Sequence, residues 1–167
     1  RLQTDFGKES LPAFLEETGF RQVILNLAIN ARDAIERKGK IKISITKVAK
    51  GQPMMNGSSG EARKAPATGA VISLSDDGRG IPKEIEDKLF DPFFTTKESS
   101  SGSGFGLYNT KLFMEDHNGE IGFSSKIGEG STFYLFLPLA IDDEDDPSMR
   151  TKRMRRATRE FIKTRKT

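Results

Sequence analysis

The chain has 167 residues, a net charge of +3, no cysteine and one histidine; that is the length of one ordinary domain with tails, and it excludes disulfides, thiol catalysis and zinc sites built on thiolates or histidine clusters. With 35% hydrophobic and 31% charged residues and a mean hydropathy of −0.53, the composition is that of a soluble globular chain. No run approaches the roughly 18 apolar residues of a membrane span, and Arg1–Gly7 lacks the basic-then-apolar pattern of an export signal.

The charge is unevenly placed. Asp142, Asp143, Glu144, Asp145 and Asp146 precede nine Lys or Arg set against Glu160 alone in residues 150–167, which leaves the body electroneutral. The pI near 9.1 therefore belongs to the tail, and no nucleic-acid partner is expected. Like-charged blocks of this kind read as solvated segments. The expected organisation is a folded domain over 1–141, an acidic linker over 142–149 and a basic tail over 150–167, in a reducing, cytoplasmic setting.

In chain order, residues 10–17 read as a short helix with Ser10 as cap, Pro12 in its first turn, Glu16 and Glu17 on the wet side and Gly19 as stop. No clear lead-in strand is visible before Gly19. Val23, Ile24, Leu27, Ala28, Ala31, Ala34 and Ile35 recur at three- and four-residue spacing, predicting a long helix from Phe20 to about Arg37. Ile41, Ile43 and Ile45 alternate with polar residues as a half-buried strand does. Residues 50–69 carry no periodicity and read as a mobile loop, ahead of a second strand at Val71–Leu74 that runs into Asp76. Lys83–Leu89 reads as one or two helical turns, 99–104 as a Ser/Gly stretch, and Leu107–Asp116 as a helix. Glu120–Ser125 and Ser131–Leu137 read as strands around the Gly128-Glu129-Gly130 turn. The order predicts an α/β two-layer sandwich: a mixed, mainly antiparallel sheet with helices on one face.

Three features carry chemistry. Asn26 and Asn30, four residues apart, share one face of the long helix; buried amides of this kind are commonly satisfied by backbone, and an amide oxygen is also a hard, neutral ligand for magnesium that shares a nucleotide's phosphates. Asp76-Asp77-Gly78-Arg79-Gly80 follows a strand, where the glycines permit close approach and a carboxylate, which only accepts hydrogen bonds, suits the exocyclic amine of adenine. Ser101-Gly102-Ser103-Gly104-Phe105-Gly106-Leu107 opens into a helix, and free amides with the helix dipole favour an anion there. It has neither the ending of a Walker loop nor the dinucleotide-binding spacing.

Asn26-Leu-Ala-Ile-Asn30, Asp76-Asp-Gly-Arg-Gly-Ile-Pro82, Phe90-Asp-Pro-Phe-Phe-Thr-Thr-Lys97 and Gly102-Ser-Gly-Phe-Gly-Leu107 stand in the order of the four boxes of sensor histidine kinases. From about Phe20 to Leu139 the chain resembles the catalytic and ATP-binding domain of that family, within the GHKL group. The resemblance implies ATP and magnesium as ligands. It implies Asn30 as the magnesium ligand, Asn26 as its companion by the phosphates, and Lys97 as a cation near the terminal phosphate, these three being the catalytic candidates. It implies Asp76 on the adenine amine and Gly78 and Gly80 shaping the adenine pocket, with Ile81 beside them. Asp33, Thr96, Gly102, Gly104, Phe105, Gly106 and Leu107 complete the implied nucleotide contacts.

His117 sits at a helix end before Asn118-Gly119, a structural position rather than that of a phosphoacceptor. No helical hairpin with a phosphorylation box precedes Asn26, so the nucleophile is expected elsewhere in a longer protein or in a partner. The implied function is donation of the terminal phosphoryl of ATP to a histidine on a separate dimerisation domain. A response-regulator receiver is expected downstream, and the isolated domain is expected to be a monomer. Asn26 stands where the ATPase branch carries a water-activating glutamate, and an amide has no basic lone pair. The alternative is a nucleotide-gated interaction module that transfers no phosphate. Residues 50–69 and about 95–104 are expected to be the most mobile internal segments.

Overall fold

A computed structural model describes residues 1–56, 62–96 and 104–140 of the chain. Five strands form one sheet in the order β1-β2-β5-β7-β6, made of β1 (Leu2–Asp5), β2 (Ile41–Val48), β5 (Gly69–Asp76), β6 (Glu120–Lys126) and β7 (Gly130–Pro138); β1 runs parallel to β2 and the other pairs are antiparallel. Helices α1 (Glu17–Ala34) and α3 (Gly106–Asp116) pack on one face, and α2 (Lys83–Glu86) is a single turn between β5 and α3. The expected sandwich is the one observed.

The alternation of β-strand side chains decides what each face buries. Ile72 and Leu74 of β5 with Leu135 and Leu137 of β7 point to the helices, where Val23, Leu27 and Ala31 of α1 and Met114 of α3 close the core. The opposite set, Val71 and Phe136 with Val48, lies under a hairpin of β3 (Pro53–Asn56) and β4 (Ala62–Lys64), to which Met54 of β3 and Ala65 just after β4 contribute the apolar contacts. Arg63 of the hairpin pairs with Glu120 of β6 at 2.9 Å. Part of the expected loop over 50–69 is thus a hairpin that seals the back of the sheet. Its few strand residues leave no alternation long enough to read; residues 57–61 lie outside the described residues, as do 97–103 of the second expected mobile segment.

Two expectations for the first nineteen residues are corrected. A lead-in strand exists as β1, and residues 10–17 form no helix up to Glu16. Instead Leu11, Ala13 and Leu15 pack against the core as an extended segment does at every second residue. Helix α1 begins later because the Glu16 carboxylate accepts from the Thr18 and Gly19 amides, which holds its carboxyl below the ordinary range, the Gly19 bond contributing most. Gly19 lies inside the first turn rather than stopping a helix: a Cβ there would stand 2.4 Å from the Phe113 ring of α3. The helix ends at Ala34, short of Arg37, where Ile35 turns extended and the Arg79 amide donates to the Ala34 carbonyl at 3.0 Å.

His117 closes α3, as its sequence position indicated. Its Nε2 accepts from the Glu16 amide at 3.1 Å, Nδ1 lies 2.7 Å from the Phe113 carbonyl, and the ring stacks on Phe113. These contacts fix the Nδ1–H tautomer by chemistry, since a carbonyl only accepts and an amide N–H only donates. His117→Ala is expected to lower unfolding stability by about 1–2 kcal/mol, read as a lower midpoint in urea.

Candidate active site

A cavity of about 660 Å³ opens between α1, the ends of β5 and β7, and the segments on either side of the 97–103 stretch, a size suited to a nucleotide. Helix α1 presents Asn26, Asn30 and Asp33 to it; spacings of four and three residues put all three on one stripe. At the other end Asp76 closes β5. Its carboxylate is buried, 8% exposed, and accepts from the Gly78 amide at 2.9 Å. Burial raises its pKa above the ordinary aspartate value, against the opposing pull of the Gly78 and Ser131 amides.

Glycines bring this carboxylate to the wall. Gly130 has φ +106 and a Cβ there would lie 2.0 Å from the Asp76 carbonyl, so β7 can pair with the end of β5 at Ser131 only without a side chain at 130. Gly130→Ala is expected to cost about 3 kcal/mol, from the strained dihedral and the clash together. Thermal unfolding with and without nucleotide would show both the loss of stability and the loss of the site.

The implied residues do not all reach the cavity. Asn26, Asn30, Asp33, Asp76, Gly80 and Ile81 line it, as do Thr96, Gly104, Gly106 and Leu107. Gly78 supports the wall from behind, with a Cβ position 2.6 Å from the Ala34 carbonyl. Phe105 is not among the lining residues; its ring meets that of Phe93 edge-on at 4.6 Å. Lys97 and Gly102 lie outside the described residues. Asn26 has a structural contact beyond the implied one: its Nδ2 donates to the Gly106 carbonyl at 3.2 Å while its Oδ1 accepts from Gln22 at 2.8 Å, tying α1 to the first turn of α3.

The sequence reading also missed lining residues: Arg79 in the glycine loop, Ile85, Leu89 and Phe94 beyond it, and Ile127, Ser131 and Phe133 on the β6–β7 hairpin. Ser125 connects these parts, accepting from the Ile81 amide at 2.8 Å and donating to the Gly130 carbonyl at 3.0 Å. Asp77, next to the key carboxylate, is structural: its Oδ1 accepts from the Lys40 amide at 2.7 Å and fixes the turn between α1 and β2.

A cavity of this size between a mixed sheet and a helix bearing paired asparagines is the arrangement expected of an ATP-binding domain of the GHKL kind. Residues 15–141 match the model of the histidine kinase-, DNA gyrase B-, and HSP90-like ATPase family, and the chain belongs to that family. It is 35% identical over 162 residues to the sensor kinase CckA of Brucella abortus (94% of this chain, 17% of the relative). It is 35% identical over 136 residues to the histidine-protein kinase AtoS of Escherichia coli (81% and 19%). The fold superposes on the catalytic domain of the histidine kinase ThkA with a TM-score of 0.62 and 29% identity, covering 83% of this chain and 78% of that one. The chain thus corresponds to the catalytic domain of histidine kinases, as its four boxes indicated, and spans about a fifth of the length of the curated relatives it matches.

Proposed function

We propose that this domain binds magnesium-ATP and donates its terminal phosphoryl group to a histidine on a separate dimerisation domain, within a two-component sensor kinase. The observation that carries the reading is the pairing of two ends of one cavity: a buried acceptor-only carboxylate at Asp76 and an amide stripe, Asn26 to Asn30, on α1. Asp76 receives the adenine amine. The phosphates then extend toward α1 and the first turn of α3, where amides and the helix N-terminus favour negative charge.

Magnesium keeps most of its waters and takes few protein ligands. Asn30 would hold it, and bound magnesium would neutralise charge on the transferring phosphoryl group. Asn26 faces the same region as an amide, so no carboxylate stands there to activate water, and transfer to a protein nucleophile is favoured over hydrolysis. His117 is committed to the α1–α3 contact and is not the acceptor.

The acceptor is therefore a histidine imidazole from another domain, whose nitrogen attacks the γ-phosphorus as the bond to the bridging oxygen breaks and ADP leaves. A relative of known structure, ThkA, forms a complex with the response regulator TrrA; by analogy a receiver domain is the downstream partner. We place the domain in the cytoplasm, where ATP is supplied. The body is taken as residues 1–141, with 142–149 and 150–167 as linker and tail.

The test mixes the domain with γ-labelled ATP, magnesium and a phosphoacceptor hairpin from a related kinase. Acid-labile, alkali-stable label on the hairpin is expected. Nucleotide binding without any labelled histidine on cognate hairpins would overturn the kinase reading in favour of a nucleotide-gated interaction module.

A further inference from the structure

Eight large apolar side chains are exposed among the described residues, and of these Ile127 is the one that lines the cavity. It is 65% exposed, so a flat ligand bound in the cavity would take apolar surface out of water at this side chain. Its position is not that of a loose loop tip. The β6–β7 turn is fastened to the Asp76 glycine loop by the Gly128 amide donating to the Arg79 carbonyl at 2.9 Å and by the Ile81 amide donating to Ser125 Oγ at 2.8 Å.

Gly80 makes the contact possible. Its φ is +75, and a Cβ there would lie 2.3 Å from the Lys126 carbonyl and 2.9 Å from the Ile127 Cα. The turn therefore rests directly on the loop that follows Asp76, and Ile127 is held over the same end of the cavity as the carboxylate. Leu89 and Phe133 also line the cavity and belong to the buried core; Ile127 is the exposed large apolar group on its rim.

We propose that Ile127 is a base-binding residue that covers the outer face of a bound purine, completing an apolar slot whose edge is read by Asp76. The proposal rests on the nucleotide reading of the cavity and adds to it a residue on the β6–β7 turn. Binding removes the Ile127 side chain from water and sandwiches a flat aromatic ring, so the residue contributes affinity for the base without touching the phosphates.

Methyl-labelled domain titrated with adenosine tests the placement, and calorimetry with ADP tests the energetics. An upfield ring-current shift of the Ile127 methyls is expected. Ile127→Ser should weaken ADP roughly tenfold, the loss for one or two methylenes' worth of burial, with Ile127→Leu restoring most of it. Shifts at Ile81 and Leu89 with none at Ile127, or full ADP affinity in Ile127→Ser, would overturn the proposal while leaving the nucleotide reading intact. No methyl response to adenosine or ADP anywhere in the cavity would overturn both.

Discussion

Asp76→Asn is expected to lower ATP affinity roughly ten- to a hundredfold while leaving the fold as stable as before or more so. Affinity falls because the amide can turn only one acceptor to the base and puts a donor where the adenine amine donates, a mismatch of about 1–3 kcal/mol. Stability follows from the pKa. Asp76 holds its proton more tightly folded than unfolded, so stability falls as pH rises from the unfolded value through the folded one, and above both the buried charge is a standing cost. Asparagine removes that cost, so any gain in unfolding midpoint should be present at pH 7 and vanish in acid. The same sign governs binding in the unaltered protein: ATP affinity should drop, as pH falls, at a higher pH than an ordinary aspartate would give. Isothermal titration at several pH values, with thermal melts, checks all three; unchanged ATP affinity in both Asp76→Asn and Asp76→Ala would remove Asp76 from the site.

Asn30→Ala is expected to cut phosphoryl transfer to an added histidine hairpin by roughly a hundredfold or more, the size of effect seen when one preorganised electrostatic partner of a reacting group is removed. The fold should survive, since the apolar stripe of α1 that enters the core consists of Val23, Leu27 and Ala31. Adenosine and metal-free ADP should bind nearly as before, because the proposed contact to the base lies at the Asp76 end. The contrast between lost transfer and retained adenosine binding is the diagnostic result; a well-folded Asn30→Ala protein that transfers normally would assign the magnesium contact elsewhere. Asn26→Glu should not create an efficient ATPase, since water must also be positioned, and it would set a carboxylate against the Gly106 carbonyl that Asn26 now bonds.

The long helix, the two central strands and the glycine boxes were legible because each has a strong local signal: a 3.6-residue period in α1, strict alternation in β2, and glycines at turns that need them. Other parts are set by contacts that local periodicity does not contain. Strand β1 is exposed at all four residues, so it shows no alternation, and it is held by pairing with β2 from Leu2–Ile41 onward. The segment before α1 carried a readable clue in Leu11, Ala13 and Leu15, a period of two, but Pro12 and the acidic pair favoured a helix. At the site, the α1 and β5 residues stood out by motif, whereas Ser131 enters it through the register of β7 against β5 and Ile127 through the seating of the β6–β7 turn on the Gly80 loop, long-range contacts with no local mark.

Asp76 ends the middle strand of the sheet, flanked by β2 and β7, and the cavity it closes draws on residues from Asn26 to Phe133. No fragment of the chain holds such a site, so nucleotide binds the native state alone and acts as a mass on the folding balance. At a hundredfold excess over its dissociation constant a ligand of this kind adds about 2.7 kcal/mol to the free energy of unfolding. Under the proposed function, cellular ATP would be a determinant of how long the domain survives proteolysis, and variants that weaken binding at Asp76 would turn over faster in the cell than their melting in buffer suggests.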